Sequence, residues 1–276
     1  MWIICCGMRR GGATLQYQLV RDLVVARCGG TAHPHFVKGA DDFQKLQSSY
    51  AEEAGPVVFQ CHAFIEEAVK LAEQGKAKVF YVYRDVREVV VFMMKRDGMS
   101  FQTLARRGFL ELLLSEYSGW TSAPGAFVSK YDRMMGNPAS EIARIAAHLE
   151  LNVPIDDAVR MAEKFESERR KERLQRLRTL PESAGTGDVG RGGAAQTNES
   201  RIPAGGSVPR RIELNNKQTA YVESVAGSWL EDRGYTLNSP ALRRRALKLW
   251  RAISRAGGLR RMGRGSWPSE SDSSAS

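Results

Sequence analysis

Residues near the start of the chain have the types and spacing of a phosphate-binding loop. Gly7–Gly12 holds three glycines with Arg9 and Arg10, and Thr14 follows two residues later. Glycine lets the backbone approach an anion, and the amides at a helix start point towards it. The pattern is close to the P-loop G-x-x-x-x-G-K-[ST], but Ala13 stands where the lysine belongs. The expected ligand is a phosphate-bearing molecule; a plain glycine-rich turn is the alternative.

Short apolar runs and amphipathic stretches predict the elements that hold this loop. We predict strands over Trp2–Cys6, Val57–His62, Lys78–Tyr83 and Ala126–Tyr131. The predicted helices are Ala13–Leu23, Glu66–Gln74, Glu88–Lys95, Phe101–Tyr117, Pro138–Leu149, Asp156–Leu180, Asn216–Gly234 and Leu242–Arg255. Gly29–Pro34 is expected to be a turn, with His33 and His35 in a surface loop, and Phe36–Gln47 carries no clear pattern. Strands that alternate with helices predict an α/β fold: a parallel β-sheet flanked by helices on both faces.

Four residues suited to chemistry lie at or just past the ends of the predicted strands. They are Arg10, His62, Arg84 and Tyr131. Ligands of parallel α/β sheets bind beyond the carboxyl ends of the strands. We therefore expect these four side chains to converge on one site at that edge of the sheet.

Composition and charge exclude several classes of protein. The 276 residues carry a net charge of +10, and no apolar run approaches the roughly 18 residues that a membrane span requires. Nine lysines and arginines and no acidic residue lie between Arg243 and Arg264, so the excess charge is local and nucleic acid binding is not expected. The four cysteines have no C-x-x-C spacing, and we expect neither a metal nor a disulfide. With no signal peptide pattern at the start, a cytoplasmic location is expected.

Composition also predicts how the chain is divided. We expect a single globular domain over residues 1–236 and a basic amphipathic helix with a disordered tail over 237–276. A glycine-rich stretch at about residues 183–209 is expected to be a flexible loop.

Several motifs occur in an order and spacing that match one known family. The first, Arg9–Thr14, is similar to P-[KR]-S-G-[ST]-T, and Tyr83–Phe92 is similar to R-D-P-R-D-x-x-x-S after a strand that ends in tyrosine. Gln60–His62 is similar to K-[TC]-H, and Tyr131–Pro138 to Y-E-D-L-x-x-x-P. Together they resemble the sulfotransferases that use 3′-phosphoadenosine 5′-phosphosulfate (PAPS), over about residues 2 to 235. The resemblance implies a P-loop-like fold of the sulfotransferase and nucleotide-kinase type.

The resemblance also implies a reaction and a role for each residue. It implies transfer of a sulfonate group from PAPS, without a metal, to a hydroxyl or amine of a small metabolite or carbohydrate. His62 would be the general base, and Arg10 would stabilise the leaving phosphate. Arg84 would bind the 3′-phosphate, while Tyr131 would lie near the adenine or serve as a structural tyrosine. The remaining expected cofactor-binding residues are Arg9, Arg10, Gly11, Gly12, Ala13, Thr14, Leu15 and Arg211.

Departures from the family pattern leave alternatives open. Phe92 replaces a serine that binds the 3′-phosphate, Gln60 replaces a lysine, and Gly11 and Ala13 replace hydroxyl residues of the loop. The first alternative is therefore a catalytically weakened protein that binds PAPS or its desulfated product 3′,5′-ADP (PAP), or that docks on a surface. The second is a P-loop nucleotide kinase.

The basic segment over residues 242–264 has two interpretations of its own. It docks on an anionic membrane surface or an acidic polymer. Alternatively, its helix packs Leu249 and Trp250 against the domain and leaves the arginines in solvent.

Overall fold

The computed structural model describes residues 1–178 and 214–257. These residues form two compact units: the first contains residues 1–131 and 214–257, and the second contains residues 132–178. The predicted loop at residues 183–209, the end of the predicted tail and Arg211 lie outside the described residues. The expected division at residue 236 remains a prediction.

The first unit contains every strand among the described residues. Its elements are β1 (Trp2–Gly7), α1 (Ala13–Cys28), β2 (Thr31–Val37), α2 (Ala40–Ser49), β3 (Val57–Cys61), α3 (Glu66–Glu73), β4 (Ala77–Tyr83), α4 (Val86–Arg96), α5 (Phe101–Arg106), α6 (Phe109–Thr121), β5 (Phe127–Lys130), and later α10 (Asn216–Asp232) and α11 (Ala241–Gly257). At the border and in the second unit lie α7 (Tyr131–Gly136), α8 (Pro138–His148) and α9 (Ile155–Arg178).

The five strands form one parallel sheet in the order β2-β3-β1-β4-β5. Ile4 of the central strand pairs with Phe59 on one side and with Val79 on the other. Parallel strands joined through helices place all their carboxyl ends at one edge, where β1 leads directly into the loop that is predicted to bind phosphate.

Different helices cover the two faces of this sheet. Helix α1 contacts β1 to β4 and buries Leu19, Leu23 and Val24. On the opposite face, Ile4 and Phe59 belong to a buried cluster that includes side chains from α2, α3, α4, α6 and α10. Strands covered on both faces are apolar throughout, which is why they stand out in the sequence. The predicted fold class, a parallel sheet with helices on both faces, is confirmed.

Two local predictions are wrong. The predicted turn at Gly29–Pro34 is largely strand β2, and His33 and His35 lie in that strand rather than in a loop. A proline is compatible with this strand because β2 is at the sheet edge, and its pairing with β3 is irregular between Ala32 and Phe36.

The other error concerns the single helix predicted over Phe101–Tyr117. The chain forms two helices there, because Gly108 adopts a left-handed φ of 66° between them. Glycine adopts that conformation without the steric cost other residues bear, so it ends one helix and starts the next.

The second unit is a helical hairpin with a capped start. The side chain of Asn137 accepts a hydrogen bond of 3.0 Å from the amide of Ser140, and Pro138 occupies the first turn of α8. Ile142 and Ile145 are buried in α8, which contacts α9. The predicted amphipathic helix over Pro138–Leu149 is thus confirmed to within one residue.

Candidate active site

The loop between β1 and α1 is held in one conformation by its own backbone. The amide of Met8 donates to the carbonyl of Val82 at 3.0 Å, and the amide of Gly11 donates to the carbonyl of Met8 at 2.8 Å. Gly7 is needed for close packing, since a Cβ there would lie 2.6 Å from the Val82 carbonyl oxygen. Arg10 has a left-handed φ of 58°, which is uncommon for a residue with a side chain. This geometry directs the chain into the start of α1.

The start of α1 has the properties of an anion-binding helix terminus. Gly12 is the N-cap and offers no side chain to the first-turn amides, and that turn contains no acidic residue. The partial positive charge of the helix start is therefore not neutralised by its own sequence. Thr14 is exposed there, and its hydroxyl accepts a hydrogen bond of 3.1 Å from Gln60 Nε2. Gln60, which replaces the family lysine, thus contacts Thr14, one of the residues that are predicted to bind the cofactor.

The two arginines of the loop face different acidic residues. Arg10 donates to both carboxylate oxygens of Asp97, at 3.3 and 2.8 Å, and keeps 26% of its side chain exposed. Arg9 lies close enough to Glu116 for its charge to act on that carboxyl. Both arginines bring positive charge to the loop. The charge of Arg10 is partly offset by Asp97 and that of Arg9 by Glu116, and the sequence did not indicate either pairing.

His62 is attached by a hydrogen bond to the loop that is predicted to bind phosphate. Its Nδ1 lies 2.9 Å from the carbonyl oxygen of Gly7. A carbonyl oxygen only accepts hydrogen bonds, so Nδ1 is the donor and the basic lone pair of the neutral imidazole lies on Nε2. This contact therefore selects the tautomer and fixes the ring beside the loop. The predicted general base and the predicted phosphate loop are parts of one arrangement.

Two aromatic side chains contact His62. The ring of Phe36 lies 4.9 Å from the imidazole, between centroids, and Trp120 Nε1 donates to the His62 carbonyl at 3.5 Å. Phe64 packs edge-on against Trp120 with a centroid separation of 5.5 Å and leaves 41% of its area exposed. An exposed aromatic ring beside a buried one thus provides an apolar surface on the segment that follows His62.

Arg84 and Tyr131 come together in a second cluster at the carboxyl ends of β4 and β5. The Arg84 guanidinium carbon lies 4.3 Å from the centroid of the Tyr131 ring and 5.0 Å from that of Phe92. Its Nε donates to Glu88 at 2.5 Å, and only 4% of the arginine side chain is exposed. Phe92, which replaces the family serine, therefore packs on the arginine that the resemblance assigns to the 3′-phosphate. The arginine already has an acidic partner in Glu88.

Arg87, the second arginine of the R-D-V-R sequence, belongs to a buried network of charged side chains. Arg87 is buried and donates to Asp85 at 2.6 Å, to Glu223 at 2.8 Å and to the carbonyl of Thr236 at 2.8 Å. Burial alone would raise the pKa of Glu223, but hydrogen bonds from the amides of residues 238 and 239, from the Ser239 hydroxyl and from Arg87 outweigh it and lower that pKa. Sequence analysis did not predict this network, which links α4 to α10.

Glu116 is the titratable residue near the loop that sequence analysis missed. It lies on the buried side of α6 with Phe109, Leu113 and Trp120. Burial raises its pKa to about 7, although the positive charge of Arg9 opposes the shift. A glutamate at helical spacing within an otherwise apolar stripe was the signal in the sequence.

The structure therefore joins several predicted residues and leaves others untested. His62 contacts Gly7, Thr14 contacts Gln60, and Arg84 contacts Tyr131. The remaining loop residues Gly11, Gly12, Ala13 and Leu15 lie at the turn into α1, and Arg211 is outside the described residues. Within the described ranges, no cluster of three or more His, Cys, Asp or Glu side chains could hold a metal ion, and no helix has the length and apolarity to cross a membrane.

Comparisons with known proteins place this arrangement in context. A family model described as "Sulfotransferase domain" matches residues 2–234. A solved structure of retinol dehydratase in complex with androsterone and the inactive cofactor PAP matches with a TM-score of 0.51 and 15% identity, over 87% of this chain and 82% of that chain. A mouse sulfotransferase complexed with PAP matches with a TM-score of 0.43 and 11% identity, over 59% of this chain and 64% of that chain, so less than two thirds of the mouse protein's length is spanned. No curated protein matches the sequence significantly.

Proposed function

This chain belongs to the sulfotransferase domain family, and we propose that it transfers a sulfonate group from PAPS to a hydroxyl or amine acceptor. The observation that carries the proposal is the hydrogen bond between His62 Nδ1 and the Gly7 carbonyl. It attaches a histidine in the correct tautomer for a base to the loop that has the features of a phosphate-binding site.

The residues of the loop fit the phosphosulfate end of PAPS. Gly7 and Gly11 sit where a Cβ would collide with the carbonyl oxygens of Val82 and Met8, so glycine at both positions lets the loop fold tightly into the start of α1. The start of α1 and the Thr14 hydroxyl offer hydrogen-bond donors, and Arg9 and Arg10 supply positive charge. When bound, PAPS would supply the sulfonate group that is transferred. Leu15, Gly12 and Ala13 complete the proposed binding loop.

Two residues of the chain would act in the reaction. His62 Nε2 would accept the proton from the acceptor hydroxyl or amine, with Nδ1 held on the Gly7 carbonyl throughout. Arg10 would stabilise negative charge that develops on the departing phosphate, because a preorganised cation acts most strongly where charge increases. Asp97 would hold the guanidinium in position through its two hydrogen bonds.

The acceptor is proposed to be a small molecule with an apolar ring. Phe36 beside the imidazole and the exposed ring of Phe64 support this choice over a purely polar acceptor. Binding of the 3′-phosphate by Arg84, of the adenine near Tyr131 and of an anion by Arg211 remain predictions, as do a cytoplasmic location and a reaction without a metal.

The test combines ligand binding with activity. We expect PAP at about 100 times its dissociation constant to stabilise the protein by about 2.7 kcal/mol, measured as a rise in melting temperature. His62→Ala should abolish sulfonation of small phenols and alcohols from PAPS while PAP stabilises the variant as before. His35→Ala, on the exposed part of β2, is the matched control and should keep its activity. Absence of any shift with PAP would refute the proposal, and a shift with ATP and magnesium alone would favour a nucleotide kinase.

A second candidate function is supported by Arg84. Its ion pair with Glu88, its burial and the replacement of a serine by Phe92 favour a protein that binds PAP or PAPS weakly and no longer turns over. In that case the melting shift would be observed with PAP, and no acceptor in the panel would be sulfonated by the wild-type protein.

A further inference from the structure

Helix α11 exposes an apolar stripe that no residue of the described chain covers. Leu242 is 80% exposed and Leu249 is 64% exposed, and Ala246 between them is also exposed. On a helix with 3.6 residues per turn, these three positions and Ile253 fall within about 60° of one another. The position of Ile253 therefore continues the stripe towards the end of α11, which is about 26 Å long.

Basic side chains flank this stripe on both sides. Arg243 lies on one flank, about 60° from Ala246, Arg245 lies on the other, about 40° from Leu249, and both are exposed. The helix contains no acidic residue between Ala241 and Gly257. Its attachment to the rest of the first unit is on the opposite side, where Arg244 donates to the carbonyl of Ser239 and Leu247 is half-buried. The interpretation in which Leu249 packs against the domain is therefore wrong for this residue.

We propose that α11 docks on the surface of an anionic lipid membrane. An apolar stripe with basic residues on both flanks matches a helix lying in the interface, with its leucines among the acyl chains and its cations at the headgroups. A stable protein interface buries about 800 Å² per partner, which is more than two leucines and an alanine offer. This docking is independent of the proposed sulfonate transfer, and either can fail without the other.

The test is co-sedimentation of the full-length protein with vesicles of two compositions. We expect binding to phosphatidylcholine vesicles that contain phosphatidylserine, little binding to phosphatidylcholine alone, and weaker binding as salt increases. Arg243→Gln with Arg245→Gln should weaken binding roughly 25-fold, since each cation near an anionic surface contributes about fivefold, equivalent to about 1 kcal/mol. The matched control, Lys45→Gln with Lys217→Gln, removes two exposed lysines elsewhere and should leave binding unchanged.

A second pair of variants separates the contribution of the apolar side chains to vesicle binding from that of the basic ones. Leu242→Ser with Leu249→Ser should abolish binding, whereas Val25→Ser with Val159→Ser removes exposed valines elsewhere and should not. Melting temperatures and circular dichroism confirm that each variant is folded. Equal binding to both vesicle types would overturn the proposal. So would retention on a heparin column without vesicle binding, or a concentration-dependent dimer that the leucine variant dissociates without any vesicle binding.

Discussion

Replacing Glu88 by glutamine tests whether this residue limits recognition of the 3′-phosphate. The prediction depends on the proposed role of Arg84, whose Nε donates to Glu88 at 2.5 Å within a site where the arginine is 4% exposed. A phosphate bound by the same guanidinium would lie close to the Glu88 carboxylate, and the two negative charges would repel one another. We therefore expect Glu88→Gln to bind PAP more tightly than the wild type does.

The size of the effect follows from the charges and their exposure. At a separation of about 6 Å and an effective dielectric constant of about 20, two unit charges interact by about 3 kcal/mol. Glu88 keeps 20% of its side chain exposed, so solvent screens part of this repulsion. If about half remains, PAP affinity increases about tenfold, because 1.4 kcal/mol corresponds to a factor of about ten.

Isothermal titration calorimetry with two ligands gives the decisive comparison. PAP carries the 3′-phosphate and AMP does not, so the gain should be confined to PAP. Glu67→Gln, which removes an exposed glutamate on α3, is the matched control and should change neither affinity. An equal gain for AMP would refute the reasoning. A loss of PAP affinity would also refute it, since Glu88 would then be orienting Arg84 for the phosphate.

Two further predictions concern buried charges and are tested by urea unfolding. The carboxyl of Glu116 has a pKa of about 7 in the folded protein and about 4.5 in the unfolded chain. Between these pH values the folded state binds the proton more strongly than the unfolded state does. The free energy of unfolding therefore falls as the pH rises from about 4.5 to 7. Glu116→Gln removes this fall and should be up to about 3 kcal/mol more stable than the wild type at pH 8; an unchanged pH dependence would contradict the assignment. Arg87→Met leaves Asp85 and Glu223 buried without their cation, and should cost roughly 3–5 kcal/mol at pH 7. The loss should be smaller at pH 5, where the Glu223 carboxyl of the variant can take up a proton, and equal losses at both pH values would contradict this explanation.

The fold class and the loop at the centre of the candidate site could be predicted because their signals are local. Strands buried on both faces appear as apolar runs. Gly12 marks the loop because few other residues adopt its left-handed φ of 100°, and Gly7 because a Cβ there would collide with Val82. The edge strand β2 was missed because its one solvated edge relaxes the sequence requirements, so Pro34 and two histidines fit within it.

The tertiary structure decided which side chains meet, and therefore which charges remain available. His62 and Gly7 are 55 positions apart, and only the pairing of β3 with β1 brings the imidazole to the loop carbonyl. The sequence shows that Glu88 lies four positions after Arg84. It does not show that Glu88 forms an ion pair with the Arg84 guanidinium, which also packs on the rings of Phe92 and Tyr131. Spacing along the chain determines helices, strands and loops, whereas the free energy of a charge depends on burial and on partners that only the folded chain assembles.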